Sequence, residues 1–248
     1  MMKTLSWLLR ISLWLVALGA CQSSEEEPAP SNGVPNGNFS EGLNALTQVT
    51  DAQGNTYRVG YDQASSINQN PYVEKKDAAG NQIWRHTYES TGVDGRAILI
   101  ALDESNQPWV AFTVDGGSTD NAYINKKHIE SGAFSGVYMN SYGSGGGPKV
   151  SVLTRLDPAS GKIVKGTFFT TRLDSGKTNS LTVKKIGFKN GRLAIEVESA
   201  AWPPGKGTSY QKYPNISDAD RFSDNTFKLY YEINKELSEV LEAIIYKE

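Results

Sequence analysis

The sequence predicts an all-β fold made of about three four-stranded antiparallel units, and three observations support this prediction. Short apolar runs alternate with turn signals such as Ala79-Gly80-Asn81 and Asn190-Gly191-Arg192, which is the spacing of hairpin-built sheets. The patterned segments are rich in Thr, Val, Ile and Tyr, which favour strands over helices. A strand-turn-strand pattern also recurs along the chain. A non-repetitive β-sandwich with similar turns is the alternative fold.

The first twenty residues have the layout of a secretory signal. Lys3 and Arg10 supply positive charge, and the apolar run Ile11–Leu18 is short for a membrane span. Leu18-Gly19-Ala20-Cys21 resembles the lipobox of bacterial lipoproteins. That resemblance implies a signal peptide over residues 1–20, diacylglyceryl transfer to the Cys21 thiol, cleavage before Cys21 and acylation of the new amine. The alternative is an ordinary secretory signal with a chance cysteine.

A lipid on Cys21 would place the protein at a membrane surface. Cys21 is the only cysteine, so no disulfide is expected, and two or three acyl chains such as palmitate would anchor the chain stably. The next residue is Gln22 rather than Asp, which favours the outer membrane, or the outer face of the cell membrane in a host with one membrane. Residues 21–42 are polar, acidic and rich in Pro, Gly, Ser and Asn, and they predict a flexible tether.

Residues 43–248 are predicted to form the folded domain, which is long enough for a substantial core. The formal net charge is -2, with positive and negative residues interspersed. No basic surplus indicates a nucleic-acid partner, and no acidic tail indicates a charged partner.

The repeat has two halves. The first half is a strand, an acidic turn and a strand that begins at an aromatic residue, and its copies are Asp51–Val59, Asp103–Ala111 and the degenerate Gly187–Ile195. The second half is a hairpin, and its copies are Val73–Tyr88, Leu153–Phe168 and the weaker Tyr230–Ile245. Pairing the halves predicts three four-stranded units, at about 43–88, 97–169 and 180–246.

The turn residues resemble a known repeat family, the bacterial β-propeller repeat of the SBBP type. The first half of that motif matches Asp51, Gly54, Asn55, Tyr57 and Gly60, and the second half matches Lys75, Asp77, Gly80, Asn81 and Trp84. Asp157–Lys162 also resembles the turn of quinoprotein-type propeller blades. The resemblance implies β-propeller-like repeats whose turns use Gly for positive φ and Asp or Asn for bonds to the backbone. Closed propellers typically need at least four blades, so closure by paired chains, an open arc or a barrel-like sandwich all remain open.

Two long insertions are predicted, at about 115–149 and 200–226, each between the second and third strands of its unit. Long loops on a rigid sheet scaffold commonly carry binding sites. The candidate ligand-binding residues are the aromatics of the second insertion, of which the first three are expected in a shared exposed groove: Trp202, Tyr210, Tyr213 and Phe222. The alternative is that these aromatics cover an edge of the scaffold. Within the first insertion, Ala122–Lys127 and Ser135–Tyr142 are expected to form an extra hairpin.

The sequence predicts no metal site, no cofactor and no identifiable catalytic residue. The two histidines, His86 and His128, have no second histidine or cysteine at ligand spacing. His86 is expected to face solvent on a strand, and His128 to lie in a solvated loop. Asp218, Asp220 and Asp224 lack the loop glycine and terminal glutamate of a calcium-binding EF-hand, so a solvated loop is expected there.

Three functions are consistent with this pattern. The favoured one is a non-enzymatic, lipid-anchored cell-envelope β-repeat protein that binds a protein or a glycan. The first alternative is a glycan hydrolase or lyase that uses carboxylates on the insertion side. The second is a structural or assembly lipoprotein that works through homo-oligomerisation.

Overall fold

In this computed structural model the protein is described over residues 34–35, 39–88, 94–115, 126–145 and 149–248. The predicted signal peptide, Cys21 and most of the predicted tether lie outside the described residues. In the described ranges no helix has the length and apolar character needed to cross a membrane.

The described residues are almost entirely strand and loop, with two single-turn 3₁₀ helices at Lys126–His128 and Asp218–Asp220. The first six strands are β1 (Val34–Pro35), β2 (Leu43–Asn44), β3 (Gln48–Thr50), β4 (Thr56–Gln63), β5 (Gln69–Lys76) and β6 (Gln82–Thr87). The next six are β7 (Gly95–Leu102), β8 (Pro108–Asp115), β9 (Lys149–Leu156), β10 (Ile163–Phe169), β11 (Thr171–Arg172) and β12 (Thr178–Asn179). The last four are β13 (Leu181–Lys189), β14 (Arg192–Ser199), β15 (Phe227–Ile233) and β16 (Val240–Lys247).

These strands form three main antiparallel sheets in sequence order. The first sheet is β3-β4-β5-β6, the second is β7-β8-β9-β10, and the third contains β13-β14-β15-β16 with β2 and β1 added at its two edges. Strands β11 and β12 form a separate hairpin between the second and third sheets. Each main sheet has two edge strands, so none closes within the described part of the chain. The all-β prediction is confirmed, and each predicted unit corresponds to four consecutive strands of one sheet, although the third sheet has six strands in all.

The tight turns use the side-chain chemistry that the sequence predicts. The Asp51 carboxylate accepts bonds from the Asn55 amide nitrogen at 2.8 Å and the Asn55 side chain at 2.9 Å, and Asp77 and Asn81 repeat both distances. Gly80 has φ of +89°, a left-handed conformation that favours glycine. Acidic turns of this kind join β3 to β4 and β5 to β6.

One hydrophobic core extends through all three sheets, which pack in a sandwich-like arrangement. Strand β7 lies against β4 and β5 of the first sheet and against β13 of the third. Its apolar sequence suits a strand with neighbours on both faces. The largest fully buried side chains of this core include Tyr57, Tyr88, Trp109, Phe112, Phe168, Phe169, Phe227 and Tyr231.

A smaller cluster lies on the other face of the third sheet, where the N-terminal strap covers it. We define the N-terminal strap as Val34–Pro35 together with Phe39–Asn44. Strand β1 pairs in parallel with the end of β16, and β2 pairs with β13 at the opposite edge. Between them, the Phe39 ring lies 5.5 Å from the Tyr230 ring. The N-terminal strap therefore crosses the sheet from edge to edge.

The N-terminal strap corrects two predicted boundaries. The predicted tether extends to residue 42, but Phe39 and the residues that follow it pack on the third sheet. The first unit was predicted to begin near residue 43, but Leu43 and Asn44 pair with the third sheet. The apolar residues Val34, Phe39 and Leu43 are too widely spaced in a polar segment to produce a strand pattern.

The predicted extra hairpin of the first insertion is not formed by Ser135–Tyr142, which consists of bends and irregular loop. Gly132 and Gly136 both have positive φ, which breaks any extended run across this segment. In the other half of that prediction, residues 122–125 lie outside the described residues, and Lys126 and Lys127 belong to a 3₁₀ helix rather than a strand. The additional hairpin that does form is β11–β12.

Candidate functional site

The two insertions occupy the predicted positions. The first connects β8 to β9 and the second connects β14 to β15, whereas the corresponding β4–β5 loop is the short segment Ala64–Asn68. We call the described insertion residues 126–145 and 200–226, together with residues 171–179, the insertion face.

The β11–β12 hairpin joins the two insertions. The Arg172 amide donates to the Trp202 carbonyl at 3.1 Å, and the Trp202 amide donates to the Arg172 carbonyl at 3.0 Å. On the other strand, the Thr178 amide donates to the Ser144 carbonyl at 2.7 Å. The Thr178 hydroxyl donates to the Tyr142 carbonyl. Backbone bonds thus hold both insertions on one hairpin.

The structure brings together two of the four predicted aromatics. The half-buried Trp202 donates its indole N–H to Asp174 at 2.7 Å. The Tyr210 hydroxyl donates to the Trp202 carbonyl at 2.9 Å. Tyr213 is only 8% exposed, and Phe222 packs against the cluster beneath the N-terminal strap. The expected exposed groove of Trp202, Tyr210 and Tyr213 is therefore not formed.

The local backbone explains why Tyr213 points inward. Lys212 pairs with Pro204 in an antiparallel bridge, so consecutive side chains alternate between the two faces. Lys212 faces solvent, and the next residue, Tyr213, faces the core. The aromatic composition of the segment did not reveal this alternation.

Cations cover the rings of Trp202 and Tyr210. The Lys212 ammonium lies 3.4 Å from the Trp202 ring centroid, and the Arg172 guanidinium lies 4.5 Å from the Tyr210 ring centroid. Cation–π contacts of this kind are worth about 0.5–2 kcal/mol. A neutral sugar that stacked on either covered face would have to displace the cation.

Two buried polar atoms on the insertion face have no hydrogen-bond partner among the described residues: Arg172 Nε and the Tyr138 hydroxyl. Burial and the neighbouring Tyr210 raise the pKa of Tyr138, while the positive charge of Arg172 acts to lower it. Burial raises the pKa of Tyr210 to about 12. Both phenols are therefore neutral hydrogen-bond donors near neutral pH.

The predicted carboxylates of the second insertion are each held by a local partner. Asp218 pairs with Arg221 at 2.7 Å, and Asp220 accepts from the Ser217 amide at 2.8 Å. Bonds from Thr226 and Lys228 lower the pKa of Asp224 to about 2, so Asp224 stays ionised near neutral pH. Within the described ranges, no three His, Cys, Asp or Glu residues lie close enough together to hold a metal ion.

The two histidines are stacked on each other, contrary to the expected positions. Their ring centroids are 4.2 Å apart, and His86 Nε2 lies 2.6 Å from the Ser160 carbonyl oxygen. The Trp84 ring also stacks on His86, with centroids 5.4 Å apart. Burial, His86 and nearby lysines lower the pKa of His128 to about 4. The prediction failed because the first insertion folds back over the first sheet, a long-range contact.

A shallow pocket of about 270 Å³ lies where turns of the first two sheets meet, away from the insertion face, and its lining includes Asp51, Tyr57, Lys75, Asn106 and Pro158. The Lys75 ammonium donates to the Pro158 carbonyl at 3.0 Å. Burial opposes the effect, but bonds from Asn55 and Gln53 lower the pKa of Asp51. Asp51 is thus ionised near neutral pH and engaged within its own turn.

Arg172 and Tyr138 were not among the predicted site residues, because nothing in their local sequence distinguishes them. Their significance comes from the convergence of two insertions and a hairpin. No protein-family model matches the chain, and no curated protein was found to match it.

Proposed function

We propose that this chain is a lipid-anchored cell-envelope protein whose β-propeller-like domain binds a protein or glycan ligand on the insertion face, without catalysis. The observation that carries the proposal is the joining of two long insertions through one hairpin, with aromatic and cationic side chains at the junction. Loops fixed on a rigid sheet scaffold suit recognition because little order is lost on binding.

Binding is favoured over catalysis by the state of the carboxylates. Asp218, Asp220 and Asp224 are engaged by neighbouring side chains or backbone amides. A glycan hydrolase needs a paired acid and base free to act on the scissile bond, and one carboxyl must hold a proton. The low pKa of Asp224 does not suit the proton-donating role.

The propeller-like part of the proposal is supported by three four-stranded meanders in sequence order. Three blades are fewer than a closed propeller typically requires. Light scattering of the chain from Gln22 to Glu248 tests closure by paired chains. Twice the chain mass would support a ring of six units, and a clean monomer would exclude it.

The envelope location depends on lipid attached to Cys21. Mass measurement of the native protein should find a chain that begins at Cys21 and carries acyl groups, whereas Cys21→Ala should not be lipidated. An unmodified Cys21 in the native protein would contradict the anchor. Fractionation of the envelope would then assign the membrane.

The binding function is tested with the chain from Gln22 to Glu248, which contains every residue of both described cores. Immobilised protein is exposed to envelope extract and to a glycan array. We expect a specific protein or glycan to be retained, and retention to fall in a double variant of exposed lysines, Lys177→Glu with Lys212→Glu.

The matched control makes the same charge change on strands of the scaffold, Lys76→Glu with Lys184→Glu. This control should retain the ligand. Failure to retain any ligand, or equal loss in both double variants, would overturn binding at the insertion face.

A further inference from the structure

We propose that the insertion face captures an acidic side chain of a protein partner, with its carboxylate bound between Arg172 and Tyr138. This inference rests on the binding function proposed above and specifies the chemistry of the ligand. It assigns the recognising groups to the β11–β12 hairpin and the first insertion, with support from the second insertion.

Arg172 differs in its pairing from most other described arginines. Arg58, Arg85, Arg192 and Arg221 each form an ion pair with a carboxylate. Arg172 forms none within the described residues, and its Nε is buried without an acceptor. A partly buried cation without an anion is costly, and an incoming carboxylate would offset that cost.

Tyr138 supplies a second unused donor. It is only 4% exposed, and its hydroxyl has no acceptor among the described residues. The charge of Arg172 acts on this phenol, so the two groups lie within electrostatic range of each other. A carboxylate has two oxygens, which can accept from a guanidinium and from a phenol at once.

The surrounding residues hold Arg172 in place without neutralising it. Its guanidinium lies on the Tyr210 ring, and Gly143 lies close to it, since an added Cβ there would lie 3.9 Å from Nη2. The nearby Asp174 accepts from Trp202 and forms no ion pair with Arg172 within the described ranges. The guanidinium is therefore positioned in advance for an external anion.

A protein ligand fits these observations better than a sugar. One face of the Trp202 ring carries Lys212, and one face of the Tyr210 ring carries Arg172, so a sugar would have to displace these cations to stack there. Trp, Tyr and Arg are the residue types that dominate protein–protein hot spots. Lys212 is exposed and adds a second positive charge beside the site, which favours a partner segment rich in Asp or Glu.

The test uses the chain from Gln22 to Glu248 and a fluorescently labelled hexaglutamate peptide with blocked ends. Anisotropy should show saturable binding that weakens with salt, and hexaglutamine should not bind. Arg172→Gln should weaken binding about tenfold or more, because it removes the charged donor. Tyr138→Phe removes one oxygen and should weaken binding about three- to tenfold.

Arg155→Gln is the matched control, because Arg155 is also half-buried, lies 5.6 Å from the Trp109 ring centroid and has an unpartnered Nε. Arg155 lies on β9 within the second sheet. The Arg155→Gln variant should therefore bind hexaglutamate with the same affinity as the unchanged chain. Near-UV circular dichroism checks the fold of each variant. If Arg172→Gln does not fold, Tyr138→Phe decides the question.

The outcomes separate this inference from the proposed function. Equal binding of hexaglutamate by the unchanged chain, Arg172→Gln and Tyr138→Phe would overturn the carboxylate site. Preference for hexagalacturonate over hexaglutamate would overturn the choice of a protein. If an envelope ligand is retained and neither variant weakens its retention, the proposed binding function holds, but the carboxylate site does not account for it. Peptide binding with no envelope ligand retained would mean that the proposed function itself fails.

Discussion

At the scale of single residues, the contact between the first two sheets depends on Gly161. It lies in the β9–β10 turn with φ of +70°, against the aromatic side chains of β6. A Cβ at this position would lie 2.7 Å from His86 Cδ2 and 2.9 Å from Trp84. The glycine is thus required for its backbone conformation and for the close approach of the two sheets.

Gly161→Ala should lower the free energy of unfolding by about 2–4 kcal/mol, because it adds backbone strain and a steric clash. Gly80→Ala is the control, since Gly80 has φ of +89° but no atom within 4 Å of an added Cβ. Gly80→Ala should lower the free energy of unfolding by about 1 kcal/mol. Urea unfolding measures both, and equal losses would contradict the close contact.

The stacked histidines predict a pH dependence of stability. The pKa of His128 falls from its ordinary 6.5 to about 4 on folding, so folding favours the neutral ring. This contribution is complete above pH 6.5 and is lost as the pH falls toward 4. The midpoint urea concentration should therefore be lower at pH 5 than at pH 7.5. His128→Gln should reduce that difference, and an unchanged difference would count against the lowered pKa of His128.

At the scale of elements, the acidic turns fix the registers of the hairpins. Asp103 accepts from the Ser105 amide at 2.9 Å, the Gln107 amide at 3.0 Å and the buried Trp109 indole at 3.1 Å. It therefore stabilises the β7–β8 turn and satisfies a polar group of the main core. Asp77 makes a similar turn on the surface.

Asp103→Ala should lower the free energy of unfolding by about 2–3 kcal/mol, because it leaves the buried indole N–H of Trp109 without a partner. Asp77→Ala removes the side-chain bonds of an exposed turn, and it should lower the free energy of unfolding by distinctly less. Thermal unfolding of both variants makes the comparison. A larger loss in Asp77→Ala would show that the buried bond is unimportant.

At the scale of the whole molecule, one core links the three sheets, and this predicts cooperative unfolding. Because buried residues from every main sheet belong to a single cluster, no sheet should unfold alone. Far-UV circular dichroism and tryptophan fluorescence should give coincident urea transitions. Two separated transitions would show that at least one sheet is an independent folding unit.

The hairpins and insertions could be predicted from the sequence because their signals are local. Asp51, Asn55 and Gly54 specify a turn within five positions, and the strands beside it alternate clearly. The N-terminal strap and the β11–β12 hairpin consist of two-residue strands, which are too short to show a period. The Arg172–Tyr138 site and the His86–His128 stack depend on long-range packing, which no local pattern encodes.

The N-terminal strap also bears on the order in which the protein can be completed during synthesis. Val34 and Leu43 leave the ribosome long before their partners Tyr246 and Gly187 have been made. Phe39 and Leu43 must therefore remain uncovered while the first two sheets emerge. The N-terminal strap can pair at both edges of the third sheet only after β16 has been made. The earliest residues of the domain are therefore among the last to pack.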